Sequence, residues 1–370
     1  MRLRVHAFIP GFILAVSAMA AFASERVLEP VGLSTDGRSL ELQITKKEFR
    51  VWGVNYDHDS AEPNGRLIED YWMDEWDTVV SDFREMKELG ANVVRIHLQF
   101  GKFMASPDEA NDESLAQLQK LLVLAEDTGV YLNITGLGCY HQADVPPWYD
   151  ALDEASRWKA QARFWFHVAS ACRESNAVFC YDLMNEPVIG DGKEKGWLAG
   201  ELGGKHYVQR ITLDKGTRSS TEIAAKWVKM LVTAIRETGA TQLITVGVIP
   251  WSHVWPNAKP VFYSPEAVQH LDIVSIHLYP KSGEIQKAVD AMRAYEIGKP
   301  LIIEETFPLS CSVAELTEFM KSTKKRTCGY FSFYWGTTAA EYARDREKSL
   351  KNHLMHSWLI EFKRLAGELQ

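Results

Sequence analysis

VFCYDLMNEP, residues 178–187, carries the plainest structural signal in the chain. Apart from Asp182 it is apolar or aromatic as far as Met184, the composition of a strand buried on both faces. Pro187 then ends the strand, because it has no N–H to give to a ladder. Asn185 and Glu186 are left side by side at the strand's C-terminal end. KPLIIEET, residues 299–306, repeats the design with Pro300, an apolar run, and then Glu304 and Glu305. Two parallel strands that each bring a carboxylate to the same end of a sheet supply what hydrolysis of a glycosidic bond requires.

Outward from these two runs the chain alternates regularly. Strand-like segments are expected at 49–56, 91–98, 130–137, 178–184, 242–248, 271–279, 301–305 and 329–335. Amphipathic helices are expected at 70–89, 113–128, 153–174, 221–238, 284–297, 313–324 and 349–366, with Gly90 and Gly129 as stops after the first two. Such alternation implies a parallel sheet, and eight units imply an α/β fold of the (β/α)8 TIM barrel type. The competing doubly wound sheet would place a G-x-G-x-x-G after its first strand, and none is there. LELQI, residues 40–44, is separated from the first barrel strand by the polar residues 45–48, which predicts a short N-terminal β-hairpin cap. The Gly- and Lys-rich stretch 188–217 and the stretch 250–265 are long for connections, and long loops inside a compact domain are usually functional or mobile.

The chain has 370 residues and a formal charge of −8, which argues against a nucleic-acid partner. Its 12 Trp and 13 Tyr provide core, and also flat faces on which a sugar ring could stack. Residues 1–23 read as a signal peptide: Arg2 and Arg4, an apolar segment at 8–21, and Ala21-Phe22-Ala23 as the cleavage site. A secreted or periplasmic protein follows, with residues 24–370 as one catalytic domain and no membrane span after cleavage. The cysteine count, five, is odd for an exported chain. Cys172 and Cys180, both expected at the barrel's bottom, are the favoured pair; Cys311 and Cys328 belong at opposite ends. There is no H-E-x-x-H and no C-x-x-C, so neither metal nor cofactor is expected.

In a barrel the chemistry sits at the C-terminal ends of the strands. Arg95 and His97 share a face of the second strand, because side chains alternate. An Arg in a barrel interior needs a carboxylate partner. Asp182 reads as a satisfied interior carboxylate. His277 and Tyr279, again two apart, end the sixth strand, and Trp335 ends the eighth. Of Glu304 and Glu305, alternation sends one to the axis and the other outward or toward a loop.

Taken together, NEP on the fourth strand, H-x-Y on the sixth, K-P-x-x-x-x-E on the seventh and Trp on the eighth resemble glycoside hydrolase clan A, most closely family 5, over nearly the whole mature chain. The resemblance implies a retaining β-glycoside hydrolase of cellulase or mannanase type acting on a β-linked polysaccharide or oligosaccharide. It implies Glu186 as acid/base and Glu305, five places after Pro300, as nucleophile. It implies Asn185, Arg95, His277, Tyr279 and Trp335 as substrate-binding or supporting residues. The family usually ends its third strand with a His; here only His141, in the following loop, is offered as a substitute. A carbohydrate-binding barrel without catalysis is the alternative reading.

Overall fold

The computed structural model describes residues 28–59, 65–345 and 349–370, so the signal segment expected over residues 1–23 lies outside it. The apolar runs form β1 (Val51–Tyr56), β2 (Val93–Gln99), β3 (Tyr131–Gly138), β4 (Val178–Asp182), β5 (Leu243–Thr245 and Gly247–Val248), β6 (Val274–His277), β7 (Leu301–Thr306) and β8 (Gly329–Trp335). Every pairing among them is parallel. The two halves of β5 pair with different neighbours, Leu243 with Cys180 of β4 and Gly247 with Ser275 of β6. Since β4 and β6 are also joined the long way round, through β3, β2, β1, β8 and β7, the sheet closes into an eight-stranded barrel.

Helices cover the outside: α1 (Trp76–Glu88), α2 (Asp112–Thr128), α3 (Glu154–Cys172), α4 (Ser220–Glu237), α5 (Ile285–Ala291), α6 (Val313–Thr323) and α7 (Leu350–Leu369). The caps follow the sequence chemistry. Asn111 accepts from the Glu113 and Ser114 N–H groups at the start of α2, and Gly129 closes it in the left-handed conformation, φ 72°. Ser312 and Glu315 form a capping box on α6. Fully buried Trp52, Trp165, Trp227 and Trp358 fill the layer between sheet and helices. Trp52 stacks on Phe362 with centroids 4.3 Å apart, joining β1 to α7. Only single turns, Trp251–Val254 and Pro265–Val268, connect β5 to β6. No helix among the described residues is long and apolar enough to cross a membrane.

The predicted hairpin exists, but the LELQI run pairs backward. Leu40–Leu42 is antiparallel to Val31–Leu33. With Phe49 it packs Val31 and Leu40 against Val51, Val93, Phe179 and Phe331, so it plugs the end of the barrel where the strands start. The expected Cys172–Cys180 pairing is corrected: all five thiols are free. Cys180 packs inside the lower barrel, whereas Cys172 ends α3 in the layer between sheet and helices, so the sheet separates them.

The 188–217 stretch is not an irregular loop. Pro187–Ile189, Leu198–Leu202 and Lys205–Thr212 make a small second sheet with Lys205–Thr212 in the middle, parallel to Pro187–Ile189 and antiparallel to Leu198–Leu202.

Candidate active site

Arg95 organises the upper barrel. It is 0% exposed, and its guanidinium donates to Thr135 Oγ1 (2.8 Å), Asn55 Oδ1 (2.8 Å), Glu305 Oε1 (2.6 Å), Asp182 Oδ2 (2.8 Å) and Asn185 Oδ1 (2.8 Å). Taking a guanidinium out of water costs several kcal/mol unless carboxylates surround it. Burial works against its charge, but Glu304, Asp182 and Glu305 together hold it more firmly protonated than a free arginine. Asp182 is the satisfied interior carboxylate expected from its place in β4, accepting also from the Thr135 hydroxyl and the Gly247 N–H. Burial, then the Glu304 charge, pushes its carboxyl up to about 6, with Arg95 pulling the other way.

The adjacent acids of β7 overturn the expectation from alternation, for both point into the barrel. Ile303 pairs with Ile276 and Glu305 with His277, so Glu304 is the extra residue of a bulge. Glu304 is fully buried beneath Glu305, accepts from Asn133 Nδ2 at 2.5 Å, and lies 3.7 Å from Arg95 Nε. Burial would raise its pKa, but Arg95 and His277 leave it lowered. Glu305 carries Arg95 on one oxygen and the Tyr279 hydroxyl, at 2.6 Å, on the other.

His277 lies between the carboxylates. Its Nδ1 is 2.8 Å from Glu186 Oε1 and 3.5 Å from Glu305 Oε1, and its Nε2 is 3.3 Å from Glu304 Oε2. Burial depresses its basicity, but the Glu305 charge and the bonds to Glu186 and Glu304 outweigh that and bring its pKa to about 10. The close approach depends on Gly247 of β5, where an added Cβ would stand 2.4 Å from Glu304 Oε2 and 2.6 Å from His277 Nε2.

Glu186 follows the end of β4 in the left-handed conformation, φ 47°, with its N–H bonded to the Gly247 carbonyl at 2.9 Å. A non-glycine residue there costs roughly 1–3 kcal/mol and is held by its surroundings. The turn swings the carboxyl over the pocket. Burial raises its pKa and the Glu305 charge adds to that, with the His277 bond opposing; the result is an acid weaker than an ordinary glutamic acid. Asn185 donates from Nδ2 to the Tyr207 carbonyl (2.7 Å) of the second sheet.

Two sequence-predicted site residues stand apart. His141 bonds the Gly65 carbonyl at 3.2 Å in a neighbouring hollow with Arg66 and Asp144, apart from Glu186 and Glu305. The end of β3 brings Tyr140 instead, buried and bonded to His97. Trp335 is 1% exposed and packs on Tyr56, centroids 6.0 Å apart, so it is part of the wall and not a sugar platform. The register shift between Ser332 and Trp335 breaks the alternation that would have turned it to the axis. Phe333 and Tyr334 line the cleft in its place. The cleft holds about 910 Å³, with Asn185, Glu186, Tyr279 and Glu305 at its base. Sequence reasoning missed Asp57, Lys205 and Tyr207 on its walls; for Tyr207 the aromatic and β-branched residues of HYVQRIT, residues 206–212, were the available signal, and Asp57 and Lys205 left none.

Glu186, His277 and Glu305 offer three ligand atoms within 4.8 Å of one another, enough for a cation. The charges favour a different use, since Arg95 sits 2.6 Å from Glu305 and His277 is itself a cation up to about pH 10.

Barrel and site define an α/β enzyme scaffold with a buried carboxylate pair at the strand ends. The chain belongs to glycosyl hydrolase family 5: the Cellulase (glycosyl hydrolase family 5) profile matches residues 45–342. A comparison with curated proteins returns no match. Among solved structures, an exo-β-1,4-mannosidase from Opitutaceae bacterium strain TAV5 is similar at 17% identity and TM-score 0.65, covering 91% of this chain and 62% of that one. This chain therefore spans less than two thirds of that protein. A β-1,4-mannanase from the sea hare Aplysia kurodai matches at 13% identity and TM-score 0.62, over 90% and 96% of the two chains. The mannotriose complex of Thermomonospora fusca β-mannanase matches at 15% identity and TM-score 0.54, over 84% and 85%. At these identities the likeness is one of fold, and it agrees with the barrel predicted from the alternating elements.

Proposed function

We propose that the chain is a retaining β-glycoside hydrolase acting on a β-linked glycan of mannan or glucan type, exported by residues 1–23 and working as one barrel domain over residues 24–370. The observation that carries the reading is that oxygens of Glu186 and Glu305 lie within 4.8 Å of each other. Retaining enzymes hold their carboxyl groups ~5–5.5 Å apart, whereas inverting enzymes need ~6.5–9.5 Å to admit a water.

Each residue then has a task. Arg95 and Tyr279 fix the orientation of the Glu305 carboxylate, which attacks the anomeric carbon. Glu186, kept protonated by burial and by the neighbouring negative charge, donates its proton to the departing oxygen. In the glycosyl-enzyme Glu305 is an ester and its charge is gone, so Glu186 becomes more acidic. It can then take a proton from the water that attacks the intermediate. His277, bonded to Glu186 Oε1, orients the carboxyl for both transfers.

The test is a panel of 4-nitrophenyl β-glycosides and β-1,4-glycans, with Glu186→Gln as control. Turnover by the wild type that is lost in the variant is expected. An intact fold that binds glycans but hydrolyses none of the panel would instead favour the carbohydrate-binding barrel.

A further inference from the structure

Although the cleft belongs to a family that includes enzymes cutting within chains, the second sheet changes its shape. Strand Lys205–Thr212 is fastened to the ends of four barrel strands. Tyr207 O accepts from Asn185 beyond β4 (2.7 Å), and the His206 N–H donates to Tyr140 O beyond β3 (2.7 Å). Gln209 Nε2 donates to Leu137 O of β3 (2.7 Å). Lys205 Nζ reaches Asp57 beyond β1, at 3.1 and 3.3 Å from its two oxygens. The Tyr207 ring packs edge-on against Phe333 of β8, centroids 6.4 Å apart. The strand therefore crosses the barrel mouth from β4 over β3 to β1 and β8. Its hairpin, with Leu202, Gly203 and Gly204, forms a wall of the cleft.

The wall and Glu305 line the same cleft, and the wall bounds it on the side of β3, β1 and β8. Above β4 and β5 a separate hollow of about 250 Å³ is lined by Pro187, Val248, Trp251 and Phe262. At the walled end Asp57 and Lys205 both face the cleft, yet Lys205 is only 4% exposed. A buried ammonium–carboxylate pair is expensive to assemble where packing alone would do. It is, however, a strong donor and acceptor set for hydroxyl groups.

We infer that the site is a pocket closed on the glycone side, in which the Asp57–Lys205 pair binds the hydroxyls of a terminal sugar, so that the enzyme removes single residues from the non-reducing end of a β-linked chain. This rests on the hydrolase reading, and one assay separates the two. Full-length protein is given mannohexaose and cellohexaose labelled at the reducing end, alongside the matching 4-nitrophenyl β-glycosides. The expected first products from whichever hexaose is cut are a free monosaccharide and a labelled pentaose. Labelled di- or trisaccharides at the first time points would overturn the inference and leave the hydrolase reading standing. So would turnover of the aryl glycosides with both hexaoses left whole. No cleavage of any substrate would sink both readings. Lys205→Gln and Asp57→Asn should each raise KM for the aryl glycoside about 10- to 100-fold, the worth of a hydrogen bond to a charged group, with a smaller change in kcat. An unchanged KM in both variants removes the pair from sugar recognition.

Discussion

At the residue scale, the chemistry turns on two neighbouring acids that share one arginine and differ in what else they touch. Glu305 meets Tyr279 and the open cleft, while Glu304 meets Asn133 and the underside of His277. Glu305→Ala should lose nearly all turnover of an activated aryl glycoside, and azide should partly restore it by filling the vacated space, yielding a glycosyl azide. Glu304→Ala should show no azide rescue. Its cost should appear as stability, about 3–5 kcal/mol by denaturant unfolding, because it leaves buried cations short of a partner. Rescue of the Glu304 variant alone would reverse the two roles. A pH experiment tests His277. Its pKa rises on folding from 6.5 to about 10, so its proton stabilises the fold fully below pH 6.5, and that contribution is lost as the pH climbs through 10. The Tm advantage of wild type over His277→Gln should therefore shrink across this window; a constant gap would show that the ring's charge is not what matters. The spacing after Pro300, read through the family resemblance, singles out Glu305 over Glu304 as the expected nucleophile. The inward turn of Glu304 was not legible, because a bulge is set by how β7 pairs with β6 and leaves no mark in LIIEET.

At the element scale, the strands that carry the site were legible and the pieces that shape it were less so. Each barrel strand is an apolar run bounded by Gly, Pro or polar residues, and that pattern reports burial on both faces directly. The second sheet was hidden by the Gly and Lys residues around it, which read as loop, although Tyr207, Val208, Ile211 and Thr212 are residues that favour strands. The place of Trp335 was lost for the reason Glu304 was, a register irregularity. Trp197, one of the aromatics available for sugar stacking, instead lies over the Arg157 guanidinium, 4.5 Å from charge centre to ring centroid, and ties the second sheet to α3. β5 has a role that its sequence does not announce. Gly247 opens its second half, where it turns from β4 to β6, and the missing side chain leaves room for His277 to approach Glu304. Gly247→Ala should force that pair apart, with a stability loss of about 1–3 kcal/mol, typical of overpacking. kcat should fall with it, since Glu186 is oriented both by His277 and by the Gly247 carbonyl. A variant that kept wild-type kcat would show that the Glu304–His277 contact is dispensable for catalysis.

At the scale of the whole molecule, barrel closure sorts the side chains into compartments, and the cysteines report on it. From sequence, Cys172 and Cys180 could be placed at the same end of the barrel but not on opposite sides of its wall. That distinction depends on which face of β4 turns inward, and in a strand buried on both faces hydrophobicity carries no such information. The closed barrel puts Cys180 inside and Cys172 outside, and burial raises the pKa of both thiols. Cys139 and Cys328 are buried as well, and Cys311, in the connection after β7, is the partly exposed one. Thiol titration measures this arrangement. Native protein should react with one equivalent of an aromatic disulfide reagent, at Cys311, and slowly, because the thiolate is the attacking species and partial burial pushes this accessible thiol up to about 11. In denaturant without reductant, five equivalents should react. Three equivalents would mean that one disulfide exists, and mapping it to Cys172 and Cys180 would require β4 to present its other face. The inward placements of Asp182 and, through it, Arg95 would then fail together, since Asp182 lies two residues beyond Cys180 on the same face of the strand.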